Sequence, residues 1–217
     1  FSGYVTLSQT TLPNPPVAPT NVQVPLALIT QNKATVTWTG SPGPVSNYVI
    51  EFSNSASFSP LSGSVSPDSA SRTFDILSLN SGTTYYFRMK AVNTGGTSAN
   101  SATVSATTLP NPPLGPTGLQ VTASTQTTIS LSWTAPVSGD QNSYELRYST
   151  NPDFLQDVFI RILSTTGTTY TATDLLPNTA YYFRLYARNT GGTSADFTNA
   201  AGSTKPYPPT APAALAA

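Results

Sequence analysis

Apolar side chains along this chain fall at every second position rather than every third or fourth. Tyr85, Phe87, Met89 and Ala91 alternate with Tyr86, Arg88, Lys90 and Val92, and Tyr181, Phe183, Leu185 and Ala187 alternate with Tyr182, Arg184, Tyr186 and Arg188. A period of two sends successive side chains to opposite faces of a strand, one face apolar and the other wet. Tyr48, Ile50 and Phe52, then Tyr144, Leu146 and Tyr148, mark two more such strands, with Glu51, Glu145 and Arg147 on their wet sides. Further short strands are predicted at Val22 and Val24, Val36 and Trp38, and Phe74 and Ile76. Others are predicted at Leu119 and Val121, and at Ile129, Leu131 and Trp133. No segment shows a helical stripe. Short strands separated by Ser, Gly, Asn and Pro clusters predict an all-β antiparallel sandwich.

The pattern occurs twice. Leu12-Pro13-Asn14-Pro15-Pro16 returns as Leu109-Pro110-Asn111-Pro112-Pro113, and in diverged form as Lys205-Pro206-Tyr207-Pro208-Pro209. Trp38 returns as Trp133, Tyr85-Tyr86-Phe87-Arg88 as Tyr181-Tyr182-Phe183-Arg184, and Asn93 to Ala99 unchanged as Asn189 to Ala195. A period of about 96 residues is the size of one small domain, not of a solenoid unit. The expected organisation is two domains, 17–108 and 114–204, each preceded by a semi-rigid Pro-rich linker, 12–16 and 109–113. Residues 1–11 align with the last strands of both repeats and read as the last strand of a preceding one. Residues 205–217 read as a linker and the start of a following one.

Leu175-Leu176-Pro177-Asn178-Thr179-Ala180-Tyr181 resembles the Leu-x-Pro-x-Thr-x-Tyr signature of fibronectin type III domains. Leu79 to Tyr85 repeats it with Ser81 in place of the Pro, a departure expected to loosen the corner the Tyr makes. Trp38 and Trp133 match that family's core Trp, and Pro19 and Pro116 its leading Pro. The resemblance covers both repeats. It implies two tandem seven-stranded antiparallel β-sandwiches, each with a Tyr whose hydroxyl bonds back to the chain.

Composition removes most chemistry. The chain has no Cys and no His, so thiolate and imidazole catalysis, the usual zinc sites and disulfides are all absent. Nine basic and nine acidic residues cancel, and no basic patch for nucleic acid is visible. No apolar run approaches the ~18–20 residues of a membrane-spanning helix. The acids are scattered singly, without the facing pair that glycoside hydrolysis needs. Asp153 and Asp157 flank Phe154 but lack the dense oxygen ligands of a Ca²⁺ loop. Gly95-Gly96 and Gly191-Gly192 are expected to supply the positive φ of a hairpin turn. Neither an Arg-Gly-Asp triplet nor an N-glycosylation sequon is present. No enzyme, cofactor or metal is therefore expected.

Two functions remain. One is a structural spacer or assembly module of an extracellular or cell-surface multidomain protein, whose partners are neighbouring repeats or identical copies in a polymer. The other is a binding module for a protein or glycan. The candidate interface is the wet row Tyr182, Arg184, Tyr186 and Arg188 with Arg147, since Tyr and Arg are favoured at interfaces. Tyr4 and Leu7 join it if residues 1–11 pair with a neighbouring molecule. The loops Ser55 to Ser66 and Phe154 to Phe159 differ between repeats and are the places to expect loop-borne recognition.

Overall fold

A computed structural model describes residues 9–137 and 141–210. The chain divides into two compact units between Pro110 and Asn111. The first unit contains β1 (Thr20–Gln23), β2 (Ala34–Thr39), β3 (Asn47–Ser53), β4 (Gly63–Val65), β5 (Thr73–Ile76), β6 (Thr84–Asn93), β7 (Gly96–Thr97) and β8 (Val104–Thr107). One sheet has the order β1-β2-β5; the other has β4-β3-β6, with β7 and β8 both paired to β6. The second unit repeats the plan with β9 (Thr117–Ser124), β10 (Ile129–Thr134), β11 (Ser143–Ser149), β12 (Phe159–Leu163), β13 (Thr169–Ala172), β14 (Ala180–Asn189), β15 (Gly192–Thr193) and β16 (Thr198–Ser203). Its sheets are β13-β10-β9 and β12-β11-β14, the latter extended by β15 and β16 on β14. The two-residue β7 and β15 open the strands that β8 and β16 complete. Each unit is thus a seven-stranded antiparallel sandwich, and the first adds one 3₁₀ turn at Leu26–Leu28, the only helical element among the described residues.

The alternation read from the sequence is the alternation of burial. Along β6, Tyr85, Phe87, Met89 and Ala91 are buried while Tyr86, Arg88, Lys90 and Val92 are not. Each core contains an indole set edge-on to a buried phenol. Trp38 stands 5.4 Å from Tyr48, and Trp133 5.1 Å from Tyr144, between ring centroids. Such T-shaped pairs contribute ~0.5–1.5 kcal/mol beyond their burial.

The Tyr corner closes in both units. The Asn80 amide donates to the Tyr85 hydroxyl at 3.1 Å, and the Leu176 amide to the Tyr181 hydroxyl at 2.9 Å. Ser81 therefore does the work of Pro177 without opening the corner. The residue after it must be left-handed, and the two repeats solve this differently, with Gly82 at φ 60° and Asn178 at φ 50°. A buried Thr then ties the last strand to the corner. Thr108 Oγ1 donates to Asn80 O (2.6 Å) and accepts from Thr83 N (2.9 Å), as Thr204 does with Leu176 and Thr179 (2.6 and 3.0 Å).

Candidate interface

The two motifs repeated most faithfully in the sequence bind each other. In the first unit the Asn93 side chain uses its whole bonding capacity. Oδ1 accepts from Gly95 N (2.8 Å) and Gly96 N (3.1 Å), while Nδ2 donates to Asn14 O (2.9 Å) and Pro44 O (3.2 Å). In the second unit Asn189 Oδ1 accepts from Gly191 and Gly192, and Nδ2 donates to Asn111 O at 2.7 Å. The side chain that shapes the turn thus also holds the Pro-rich segment ahead of its own domain. Ser98 and Ser194 brace the same loop, accepting from Ala91 N and Ala187 N at 2.9 and 3.1 Å.

This geometry corrects the expectation for the paired glycines. Only the second of each pair is left-handed, with Gly96 at φ 140° and Gly192 at φ 141°. Gly95 is needed for closeness instead: a Cβ there would overlap the Pro13 carbonyl.

The candidate row lies on the outer face of β14, opposite β11. Tyr182, Arg184, Tyr186 and Arg188 share that face, and Arg147 stands directly across from Arg184. Tyr4 and Leu7 lie outside the described residues. The row is not evenly solvated. Tyr186 is only 9% exposed, because the Phe197 ring covers it at 5.2 Å and the Arg147 guanidinium lies 4.5 Å over its face. Two of the three arginines, Arg147 and Arg188, meet one carboxylate, the buried Glu145. Arg147 binds it closely, with Nη2 at 2.6 Å, whereas Arg188 Nε is 3.7 Å away and makes no hydrogen bond. Among the described residues Arg184 has no carboxylate partner, and it is enclosed by rings, with Phe154 at 4.1 Å and Phe197 at 5.1 Å.

The first unit builds the same place with its charges matched. Glu51 opposes Arg88 in register and accepts from Arg88 Nε (2.6 Å) and Lys90 Nζ (2.7 Å). Burial alone would raise the Glu51 carboxyl, but hydrogen bonds and charge from Lys90 and Arg88 outweigh it and hold it below the ordinary carboxylate value. Phe58 lies 4.1 Å from the Arg88 guanidinium, as Phe154 does from Arg184.

The sequence reading named the loops that carry Phe58 and Phe154 but missed the stacking of these rings on Arg88 and Arg184. The rings sit in loops read as variable, yet both loops begin on one scaffold. Ser53 Oγ donates to Pro60 O and accepts from Ser55 N; Ser149 Oγ donates to Gln156 O and accepts from Asn151 N. Both rings sit on left-handed backbone, at φ 55° and 58°. A Phe at one spacing from a strand-ending Ser in both repeats was the available signal.

A second feature of the second unit is an open cleft of about 510 Å³ beside β12, with Tyr148, Phe159 and Tyr181 as aromatic lining and Arg161, Asp157 and Asp174 among its charged residues. Tyr148 and Phe159 stack at 5.3 Å. Desolvation raises the Tyr148 phenol above its ordinary value, so it is a neutral wall at physiological pH. Among the described residues no three His, Cys, Asp or Glu side chains gather as metal ligands would.

Comparison with known proteins agrees with this architecture. The Fibronectin type III domain family matches residues 17–107 and 114–202. Chitinase A1 of Niallia circulans is 31% identical over 198 residues, 86% of this chain and 26% of that protein. Receptor-type tyrosine-protein phosphatase F of Mus musculus is 35% identical over 112 residues, 52% of this chain and 6% of that protein. The chain therefore spans about a quarter or less of these curated relatives. In fold it is similar to the crystal structure of the FN1–FN3 domains of chicken CNTN1, with TM-score 0.57, 22% identity, and coverage of 88% of this chain and 69% of that one.

Proposed function

The chain belongs to the fibronectin type III family as two of its domains in tandem, and from that membership we propose that it is a non-catalytic spacer or assembly module of a multidomain protein outside the cell or on its surface. The observation that carries this reading is the bond from Asn93 and Asn189 to the carbonyls of Asn14 and Asn111. Each domain grips the Pro-rich segment that leads into it, which suits a chain built by repetition. Domains over 17–108 and 114–204, with linkers at 12–16 and 109–113, are the modules of this reading. Neighbouring repeats, or identical copies in a polymer, are its partners. The relatives support it: the match covers a minor share of a chitinase and of a receptor-type phosphatase, as an accessory segment would.

The test is replacement of residues 12–204 in the parent protein by an unrelated two-domain spacer of similar length. A spacer predicts retained display and activity of the parent; loss of either overturns it. One observation favours a second reading, a binding module using the outer face of the second unit. Arg147 and Arg184 are cations placed directly opposite each other, an arrangement unfavourable in isolation.

A further inference from the structure

Arg184 is a guanidinium held in place with nothing to hold. No carboxylate pairs with it and no acceptor among the described residues takes its hydrogen bonds, although Arg147 and Arg188 beside it share Glu145. Its surroundings fix it all the same. Phe154 and Phe197 enclose it at 4.1 and 5.1 Å, and the Phe154 backbone N–H donates a hydrogen bond to Asn151 O at 3.2 Å. A planar cation immobilised in this way loses little further entropy on meeting a partner.

The residues around it continue the site. Across the sheet the row runs Ile160, Arg147, Arg184, Asn199 on β12, β11, β14 and β16. Asn199 is exposed, and its side-chain amide has no hydrogen-bond partner among the described residues, so it offers further donors next to the guanidinium. A hollow of about 140 Å³ lies against Phe154, Arg184 and Asn199. Phe197, 45% exposed, borders the guanidinium, and Ile160, 52% exposed, ends the same row on β12. Within this same chain the first unit is the control: Arg88, stacked identically on Phe58, has its Nε taken by Glu51. The second unit has put an arginine where that carboxylate was.

We propose that Arg184 and Asn199 form a receptor for a carboxylate side chain of a protein partner, an Asp or Glu flanked by apolar residues. The incoming carboxylate does for Arg184, from the Asn199 side, what Glu51 does for Arg88 in the first unit. The guanidinium fork supplies two parallel charge-assisted hydrogen bonds. Ile160 and Phe197 meet apolar neighbours of the acid, which selects a protein surface over a free anion. This assignment rests on the binding reading of this face and is independent of the spacer test.

The experiment is titration of the ¹⁵N-labelled 217-residue chain with the end-capped peptide Leu-Glu-Leu and its Leu-Gln-Leu counterpart, reading arginine Nε–Hε resonances. A saturable shift of Arg184 with the Glu peptide, at least tenfold weaker with the Gln peptide, is expected. In Arg184→Gln, the Glu-peptide shift of the Asn199 side-chain amide, saturable in the unaltered chain, should be lost. Arg147→Glu, which supplies an internal carboxylate as in the first unit, should abolish the Arg184 shift while the remaining spectrum stays folded. Equal response to both peptides overturns the proposal, as does a shift confined to Arg147 or Arg161, or no shift of Arg184. Tighter binding of galacturonate at Arg184 overturns the protein partner in favour of an acidic glycan. A shift of Arg184 on dilution of the protein alone overturns it in favour of a second copy.

Discussion

Arg147 and Arg184 face each other across the β11–β14 pair at the position where Glu51 faces Arg88 in the β3–β6 pair. Equivalent arginines should therefore differ in what they contribute. Arg88→Gln leaves the half-buried Glu51 with Lys90 alone and should cost about 1–3 kcal/mol, an effect that shrinks in high salt. Arg184→Gln loses only ring contacts and should cost under about 1 kcal/mol, with little salt dependence. Chemical denaturation of both variants at low and high salt, followed at the core Trp of each unit, checks the contrast.

Glu51 gives the first unit an acid-sensitive element. Its carboxyl titrates lower in the folded state than its ordinary value of 4.5. The unfolded chain takes up the proton first, so the stability this group contributes is complete above that value and is lost as pH falls through the folded-state value. The stability difference between wild type and Glu51→Gln should be constant from neutral pH to about pH 5 and close below it. A gap that is undiminished at pH 3 would show that the carboxylate charge is not its source.

Gly95→Ala should dislodge the linker from its domain. The added methyl meets the Pro13 carbonyl, and one of the two must move. Asn93→Ala removes four hydrogen bonds at the same place and should cost on the order of 2–4 kcal/mol. In both variants residues 9–16 should become the first site of limited proteolysis, with the remainder of the first unit still resistant.

Tyr85→Phe and Tyr181→Phe each delete one hydrogen bond to a backbone amide, from Asn80 and from Leu176. Each should cost about 1–2 kcal/mol. Similar losses at the two corners, read by thermal unfolding, would show that Ser81 serves as well as Pro177; a much smaller loss at Tyr85 would show that it does not.

The fold was legible because its determinants are periodic. The alternation along β6 and β14, the core Trp and the Tyr ahead of each long strand are local signals, and burial follows them along β6 and along β14 up to Leu185. The candidate row was legible as a row, for the same reason. Its electrostatics were not. Whether Arg184 has an acid depends on which residue faces it from β11, a matter of register between strands far apart in sequence. Tyr186 was misplaced among the solvated positions because its cover, Phe197, comes from beyond β15. Gly95 was assigned to backbone freedom because the carbonyl that crowds it belongs to a segment some eighty residues earlier.

The pairing of Asn93 with Asn14, and of Asn189 with Asn111, makes each leader segment and its loop a matched set within a single repeat. A genetic duplication or deletion that keeps such a set whole creates no mismatched junction. The number of repeats can then change by recombination alone, with every copy bringing the means of holding its own leader.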